Sequence, residues 1–277
     1  MINYSKSPFL LTTILLRQAR GPKNKMVIFD YIIRNILRRY FKKIKLPKEV
    51  FVEMKDLKFW FAAEQSELSP YVEVCCNHIY EINNRFIPQS DNIVFDIGGH
   101  IGFFTISQAK RVHRGRIFVF EPNPDAFQRL LKNIRVNELK NIYSFNKAVT
   151  SRKGGVTLRF ARGSSEAATI MAEGTANDYD KEMKIETVSL DQVVKDYQIS
   201  KIHLMKIDVE GAEIEVLKSG FQKALPLTEK IVIEAHSPRL ESEIEKFLSV
   251  LGFKVVLKTP FGQSALGRST IIYLCRI

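Results

Sequence analysis

Residues 94–105 read VFDIGGHIGFFT, and this stretch decides the fold. Apolar residues around Asp96 indicate a buried strand, the glycines behind it indicate a tight turn, and a helix over residues 101–112 follows. From here strands and helices alternate, which predicts an α/β fold with a mainly parallel sheet covered by helices on both faces. The further strands are RIFVFEP (116–122), NIYSFNKAV (141–149), IHLMKID (202–208) and KIVIEAH (230–236).

The segments around these strands complete the predicted domain. A helix is predicted to begin at Pro124, because proline suits the first turn of a helix. Asn123, directly before it, is predicted to cap this helix. GVTLRFA (155–161) indicates an added hairpin element, and residues 162–183 indicate a polar loop. The chain closes with FKVVLK (253–258) and TIIYLC (270–275), which have no helix between them and predict a final antiparallel pair.

Basic residues are concentrated at the N-terminus. Residues 1–58 hold 14 Lys and Arg against 4 Asp and Glu, in a chain whose net charge is +12. Residues 26–46 have helical periodicity, with apolar residues on one stripe and Lys and Arg on the opposite face. Two interpretations stay open: a helix packed on the main domain with a solvated basic face, or a helix that contacts an anionic membrane surface. The stripe comprises Ile33, Ile36, Leu37, Tyr40 and Ile44.

Three segments are predicted along the chain. Residues 1–49 form a basic amphipathic helical extension, and residues 50–90 form a hairpin and a lead-in segment. Residues 91–277 form the main α/β domain. The hairpin is indicated by two short apolar runs within residues 50–62, on either side of Asp56.

Cysteine use and hydropathy suggest where the protein resides. Three cysteines, two of them adjacent, are too few for a disulfide framework and indicate a reducing cytosol. The apolar stretch at residues 8–16 is shorter than the roughly 20 residues of a membrane span. It also lacks the preceding positive charge and the cleavage site of a secretion signal. We therefore expect a cytoplasmic protein, with residues 26–46 as a candidate contact to the inner membrane surface.

The turn after the first strand is a candidate ligand site. Its spacing, D-x-G-x-x-x-G from Asp96 to Gly102, differs from the dinucleotide fingerprint and fits a variant of the loop that binds S-adenosylmethionine. Gly98 and Gly102 allow close approach of the backbone, and Asp96 is expected to face the amino-acid portion of the ligand. Glu121 ends the next strand, where a carboxylate can accept hydrogen bonds from both ribose hydroxyls. Together these features favour a nucleoside-bearing cofactor.

Several motifs occur in order and at suitable spacing: VFDIGGHIGFFT, FEPNPDAFQRLLKNIRVN, NKAV, LMKIDVEGAEIEVLKSG and IVIEAH. Over about residues 80–275, beginning at Tyr80, the chain resembles the FkbM-type family of S-adenosylmethionine-dependent methyltransferases. The resemblance implies a class I methyltransferase, Rossmann-like fold with seven strands and an antiparallel last strand. The chain departs from the family where Gly99-His100 replaces the more usual Ala-Asn. The implied cofactor-binding residues are Asp96, Gly98, Gly99, His100, Gly102, Glu121, Asn123, Ala148 and Asp208.

Methyl transfer to a hydroxyl needs a base that removes the acceptor's proton. Among the carboxylates and histidine at the fourth and fifth strand ends, His236 is the first candidate because it titrates near neutral pH. Its alternative role is to cap the helix that follows. Asp208 is predicted to lie in the site. Two roles stay open for Glu210: a catalytic one, and favourable negative charge at the start of a helix. Glu213 is interpreted as helix-start charge and Lys206 as a structural residue that points to another layer.

The leading hypothesis is O-methylation of a sugar, glycolipid or secondary metabolite, with a small or glycan-like acceptor as the partner. Two alternatives stay open: an RNA or protein methyltransferase that docks through the basic N-terminus, and a non-catalytic protein with this fold. Nucleic acid is disfavoured because no aromatic residues are regularly interleaved in the basic face. A mechanism in which Asp208, Glu234 and His236 bind a Mg²⁺ ion is an alternative to catalysis by a base. Because Mg²⁺ prefers oxygen ligands, no metal is predicted. The sequence does not determine the oligomeric state.

Overall fold

The computed structural model describes residues 8–38, 47–62, 67–152, 154–161, 168–169, 179–264 and 267–277. The N-terminal part contains helices α1 (Pro8–Gln18) and α2 (Gly21–Arg38), hairpin strands β1 (Glu49–Met54) and β2 (Leu57–Ala62), and the short helix α3 (Leu68–Tyr71). A single π-helical turn, Val72–Cys76, continues α3. The rest consists of β3 (Ile93–Ile97), α4 (Phe103–Arg111), β4 (Arg116–Phe120), α5 (Pro124–Val136), β5 (Ile142–Phe145), β6 (Ala148–Val149), β7 (Val156–Ala161), β8 (Ala168–Thr169), β9 (Tyr179–Ile185), β10 (Thr187–Val188), α6 (Leu190–Asp196), β11 (Leu204–Ile207), α7 (Glu213–Ser219), β12 (Lys230–Ala235), α8 (Pro238–Ser249), β13 (Phe253–Ser264) and β14 (Gly267–Arg276).

The main sheet has seven strands in the order β13-β14-β12-β11-β3-β4-β5. Neighbouring strands from β12 to β5 are parallel, and β14 runs antiparallel to both of its neighbours. This arrangement confirms the predicted fold class. The order reverses at β3, where β4 lies on one side and β11 on the other, so a crevice opens beyond the carboxyl ends of these strands.

Alternation of side chains along the strands fills two apolar layers. Phe95 and Phe118 belong to the layer that α6, α7 and α8 cover, whereas Val94 and Ile117 belong to the layer beneath α4. All four side chains are buried. Continuous burial of the central strands explains why they read as near-continuous apolar runs in the sequence.

Two predicted elements differ from the structure. The single strand expected over residues 141–149 is two strands, because β5 ends at Phe145 and β6 pairs with β10 outside the main sheet. Asn146 lies at the break and donates hydrogen bonds to the carbonyl oxygens of Glu121 and Pro122. The loop expected over residues 162–183 includes the start of β9, which pairs with β7; residues 162–167 and 170–178 lie outside the described residues.

The helix expected over residues 26–46 begins five residues earlier, at Gly21, and its segment 39–46 lies outside the described residues. The hairpin of β1 and β2 packs with Leu15 of α1 and Ile28 of α2 against Phe103 at the start of α4. The division at residues 49 and 90 stays a prediction. None of the helices in the described part of the chain combines the length and apolarity that a membrane span requires.

Candidate active site

A cavity of about 270 Å³ lies at the carboxyl ends of β3, β4, β11 and β12. This volume is slightly below the range that is usual for small-molecule sites, about 300–1,000 Å³. The polar lining comes mainly from residues that directly follow these strands or end them. The predicted residues Gly98, Gly99, His100, Glu121, Asn123, Ala148, Asp208 and Glu210 line it, whereas Asp96, Gly102 and His236 do not.

The glycine turn brings the backbone of β3 close to β11 and β4. Gly98 has a φ of +80°, and a Cβ there would lie 1.7 Å from the carbonyl oxygen of Asp208. A Cβ on Gly99 would lie 2.2 Å from Val119 Cγ2. Only glycine fits these two positions, so the turn presents backbone to the cavity wall. Gly102 has a different role, because it starts α4 in a left-handed conformation and packs against Leu130 away from the cavity.

Glu121 holds the turn and the next helix start together. Its carboxylate accepts hydrogen bonds from the backbone N–H groups of His100, at 2.8 Å, and Asn123, at 2.7 Å. Burial, only partly offset by these hydrogen bonds, raises the pKa of Glu121 to about 7. Asn123 caps α5 through a bond from the N–H of Asp125, as predicted. Each carboxylate oxygen of Glu121 accepts one of the bonds from His100 and Asn123 and has the capacity to accept another, and the residue lines the cavity.

His100 occupies a left-handed backbone position, with φ +49°. Asn, Asp and His are the side chains that most often tolerate this conformation, so His100 is a conformational substitute for asparagine. Burial and the nearby Arg129 lower the pKa of His100 to about 4, and the ring is therefore neutral at physiological pH.

Lys206 lies in the site, and its interpretation as a structural residue of another layer was wrong. It stands opposite Asp96 in the parallel pairing of β11 with β3, so the two side chains share one face of the sheet. Its Nζ lies 3.2 Å from Asp96 Oδ1 and 3.6 Å from Asp208 Oδ2, and it donates to the carbonyl oxygen of Gly98 at 2.7 Å. Asp96 is fully buried behind Lys206 and accepts from Thr105 Oγ1. Asp96 lies outside the cavity lining, and its expected contact with the ligand stays a prediction.

Asp208 lies at the end of β11 and reaches the cavity wall. The Tyr80 hydroxyl donates to its Oδ2 at 3.0 Å, and His236 Nε2 lies 3.6 Å from its Oδ1. Burial disfavours the charged carboxylate, but Lys206 and His236 outweigh that effect and lower the pKa of Asp208. Asp208 is therefore a stabilised anion and a weak base.

His236 is buried behind the cavity wall and does not suit the role of the base. Its Nδ1 lies 2.6 Å from Glu213 Oε1, and its Nε2 lies within 3.6 Å of carboxylate oxygens of Asp208, Glu210 and Glu234. Burial opposes the charged ring, but these carboxylates outweigh it and raise the pKa of His236 well above its ordinary value. The ring is an imidazolium at neutral pH and has no free site for a proton. The cap of α8 is Ser237, so the capping role is also wrong.

Glu213 is not explained by helix-start charge alone. Its side chain is fully buried, accepts from the N–H of Gly211 and pairs with His236. It therefore orients the imidazolium. Glu210, by contrast, is partly exposed at the cavity and adopts a left-handed conformation with φ +51°, which costs free energy in a residue with a side chain.

Glu234, like Glu121, is a carboxyl group at the cavity whose proton affinity lies near physiological pH. Burial and the negative charge of Asp208 raise its pKa to about 8, against the opposing effect of His236. Asp208, Glu234 and His236 also form a possible metal site, because one potential ligand atom from each residue lies within 4.8 Å of the other two. One nitrogen among the three does not match the oxygen preference of Mg²⁺, and the absence of a metal stays a prediction.

The sequence did not predict the roles of three site residues: Tyr80, Lys206 and Glu213. Tyr80 comes from the lead-in segment, 128 positions before Asp208, and only the fold brings the two together. The sequence did contain a signal for the pairing of Asp96 with Lys206, because each residue lies one or two positions before the end of its predicted strand and the two strands were expected to be neighbours.

The glycine turn, the Glu121 carboxylate and the carboxylates at the ends of β11 and β12 define the site of an S-adenosylmethionine-dependent methyltransferase. Residues 96–255 match the sequence model of the methyltransferase FkbM domain, and the chain belongs to this family, whose methyl donor is S-adenosylmethionine. The residues present fit that cofactor, since a Cβ would fill the turn at Gly98 and Glu121 keeps lone pairs for hydroxyl donors.

Curated relatives agree with the family, and a solved structure shares the fold. Methyltransferase sdnD of Sordaria araneosa is 25% identical over 74% of this chain and 88% of its own length. The hexuronic acid methyltransferase AglP of Haloferax volcanii is 30% identical over 58% of this chain and 63% of its own length. The 2-O-methyltransferase NoeI of Sinorhizobium fredii is 25% identical over 64% of this chain and 78% of its own. The Pyrococcus horikoshii protein PH0793 shares the fold, with a TM-score of 0.51 at 12% identity over 89% of this chain and 83% of its own.

Proposed function

We propose that the chain O-methylates a hydroxyl group of a sugar, glycolipid or secondary metabolite. The observation that carries the proposal is Glu234, a buried carboxyl group at the cavity wall whose pKa is about 8. A base is most effective when its pKa lies near the working pH, because it is then both available and strong enough. An alcohol needs such a base, since its own acidity is low.

The residues around Glu234 have separable roles. Bound S-adenosylmethionine supplies an activated methyl group on sulfonium. Glu234 in its ionised form accepts the hydroxyl proton of the acceptor as the oxygen becomes methylated. Asp208 stays ionised through Lys206 and presents fixed negative charge beside the reacting groups. The His236 imidazolium, oriented by Glu213, keeps Asp208, Glu210 and Glu234 in place.

The named chemistry of two relatives supports a sugar hydroxyl as the acceptor. AglP is named as a hexuronic acid methyltransferase and NoeI as a 2-O-methyltransferase. The aromatic and apolar part of the cavity, which includes Tyr80, Phe104 and Phe261, offers surfaces on which a sugar ring can pack. The cytoplasm is the location we propose, on the basis of cysteine use.

The test is an acceptor screen with S-adenosylmethionine labelled at the methyl carbon. Its arms are uronic acid and hexose glycans, lipid-linked saccharides, an RNA fraction and a protein fraction. We expect a labelled O-methyl signal in a saccharide arm, and its loss with Glu234→Gln. The matched control is Glu243→Gln, a partly exposed glutamate on α8 that lies outside the cavity lining. Label in RNA or protein alone, or full activity of Glu234→Gln, would contradict the proposal.

A further inference from the structure

Helix α2 presents a row of apolar side chains to solvent. The successive positions, at about 100° per residue, place these side chains within an arc of about 100° on the helix surface. We call this row the outer stripe. It consists of Met26, Phe29, Ile33, Ile36 and Leu37, which are 67%, 54%, 37%, 43% and 38% exposed.

The opposite side of α2 is already occupied by the rest of the protein. Ile28 is fully buried, and Val27, Tyr31 and Ile32 pack against the same apolar cluster. Asn24 Oδ1 accepts a hydrogen bond from the backbone N–H of Glu53, which ties the helix to β1. The orientation of α2 is therefore set by packing, and the outer stripe faces away from the core. A surface helix of a globular protein carries polar residues at such positions.

Basic side chains border the outer stripe. At 100° per residue, Lys25 lies along one edge, and Lys23 and Arg34 lie along the other. The single acidic residue of α2, Asp30, is paired with Arg34 at 2.7 Å. Residues 1–46 contain 11 Lys and Arg and only this one acidic residue. An apolar centre with a basic border complements a surface that is apolar inside and anionic outside.

We propose that the outer stripe inserts into the surface of an anionic membrane, with α2 lying in the plane of the interface. This geometry is that of interfacial helices, whose apolar face enters the acyl boundary while Lys and Arg contact lipid phosphates. A second copy of the chain fits less well, because a two-fold interface through this stripe would bring basic borders together. The inference does not depend on the acceptor chemistry proposed above.

The test is flotation of the full chain with vesicles of phosphatidylcholine, with and without phosphatidylglycerol. We expect binding to the anionic vesicles and little binding to the neutral ones. A triple variant Met26→Ser, Phe29→Ser, Ile33→Ser removes three insertion side chains, and its partition coefficient should fall at least about tenfold. A charge variant Lys23→Gln, Lys25→Gln should fall about fivefold per residue, on anionic vesicles only.

The matched control removes exposed apolar side chains elsewhere, with Phe221→Ser, Val250→Ser and Val255→Ser. It should bind vesicles as the wild type does. Circular dichroism and S-adenosylmethionine affinity show whether each variant is folded, and Phe29→Ser alone replaces the triple variant if that one is not. Failure of the wild type to bind anionic vesicles would overturn the proposal. So would unchanged binding of the stripe variants, or a dimer in light scattering that these variants dissociate without any vesicle binding.

Discussion

The variant Glu121→Gln tests two effects of this carboxylate separately: it destabilises the fold, and it binds the cofactor. The carboxyl group is nearly buried, and its pKa in the folded chain is about 7, against an ordinary value of 4.5. Between these two pH values the folded chain holds a proton that the unfolded chain has released, so stability falls as the pH rises through this window. At about 1.4 kcal/mol per pKa unit, the wild type loses about 3 kcal/mol to this one group.

Glutamine cannot ionise, so the variant should lack this loss. It also turns an NH₂ group toward the N–H of His100 or Asn123, which costs about 1–3 kcal/mol at every pH. The readout is therefore the slope of stability with pH and not its absolute value. Urea unfolding between pH 5 and 8.5 should give a wild-type curve that falls more steeply than that of Glu121→Gln, with a difference of about 3 kcal/mol.

Calorimetry with S-adenosylmethionine supplies the second half of the experiment. Loss of a charged acceptor costs about 1.5–3 kcal/mol, which lowers the affinity of Glu121→Gln at least about tenfold. Glu243→Gln is the control and should match the wild type in both measurements. Parallel pH curves for wild type and Glu121→Gln, together with equal affinity, would refute the role given to this carboxylate.

Three further predictions concern the residues that hold the site together. Lys206→Met leaves Asp96 and Asp208 without their shared cation, so unfolding experiments should show a loss of about 3–5 kcal/mol, which Lys254→Met at an exposed position should not show. Gly98→Ala places a Cβ against Asp208 and should cost far more than Gly252→Ala, where φ is +82° but no atom lies within 4 Å and left-handed strain alone costs about 1–2 kcal/mol. Glu213→Gln weakens the imidazolium of His236, whose stabilising contribution is full below about pH 6.5 and is lost as the pH rises through its raised pKa. The stability difference between wild type and Glu213→Gln should therefore be larger at pH 6 than at alkaline pH, and equal differences at both would contradict this role.

The sequence predicted the fold and several residues of the cavity wall because both depend on local patterns. Apolar runs that end in glycine or a carboxylate mark strand ends, and parallel strands place those ends at one edge of the sheet. Gly98, Gly99, Glu121 and Asp208 could be placed by this reasoning alone. The family resemblance added the strand count and agreed with the antiparallel pair that the last two strands had already indicated.

The charge state of the site could not be predicted in the same way. His236 was the expected base because isolated imidazole titrates near neutral pH, but four carboxylates surround it in the folded chain. Glu234 is the reverse case, since an ordinary glutamate becomes a weak acid through burial next to Asp208. Both shifts depend on distances between residues from different strands, which periodicity does not contain.

Only the structure shows which side of α2 faces solvent. Its sequence has apolar residues around more than one side, and a periodic pattern does not say which side meets the core. Packing of Ile28 against the hairpin decides this, and leaves Phe29 exposed.

The pH dependence of methyl transfer by wild type and Glu234→Gln tests the central claim most directly. With a saccharide acceptor, kcat/KM of the wild type should rise to a plateau above an apparent pKa of about 8. Glu234→Gln should lack this limb and be slower by about 10²–10⁴-fold, the usual contribution of a general base, while binding S-adenosylmethionine as the wild type does. A variant that keeps both the limb and the rate would show that another group removes the acceptor's proton.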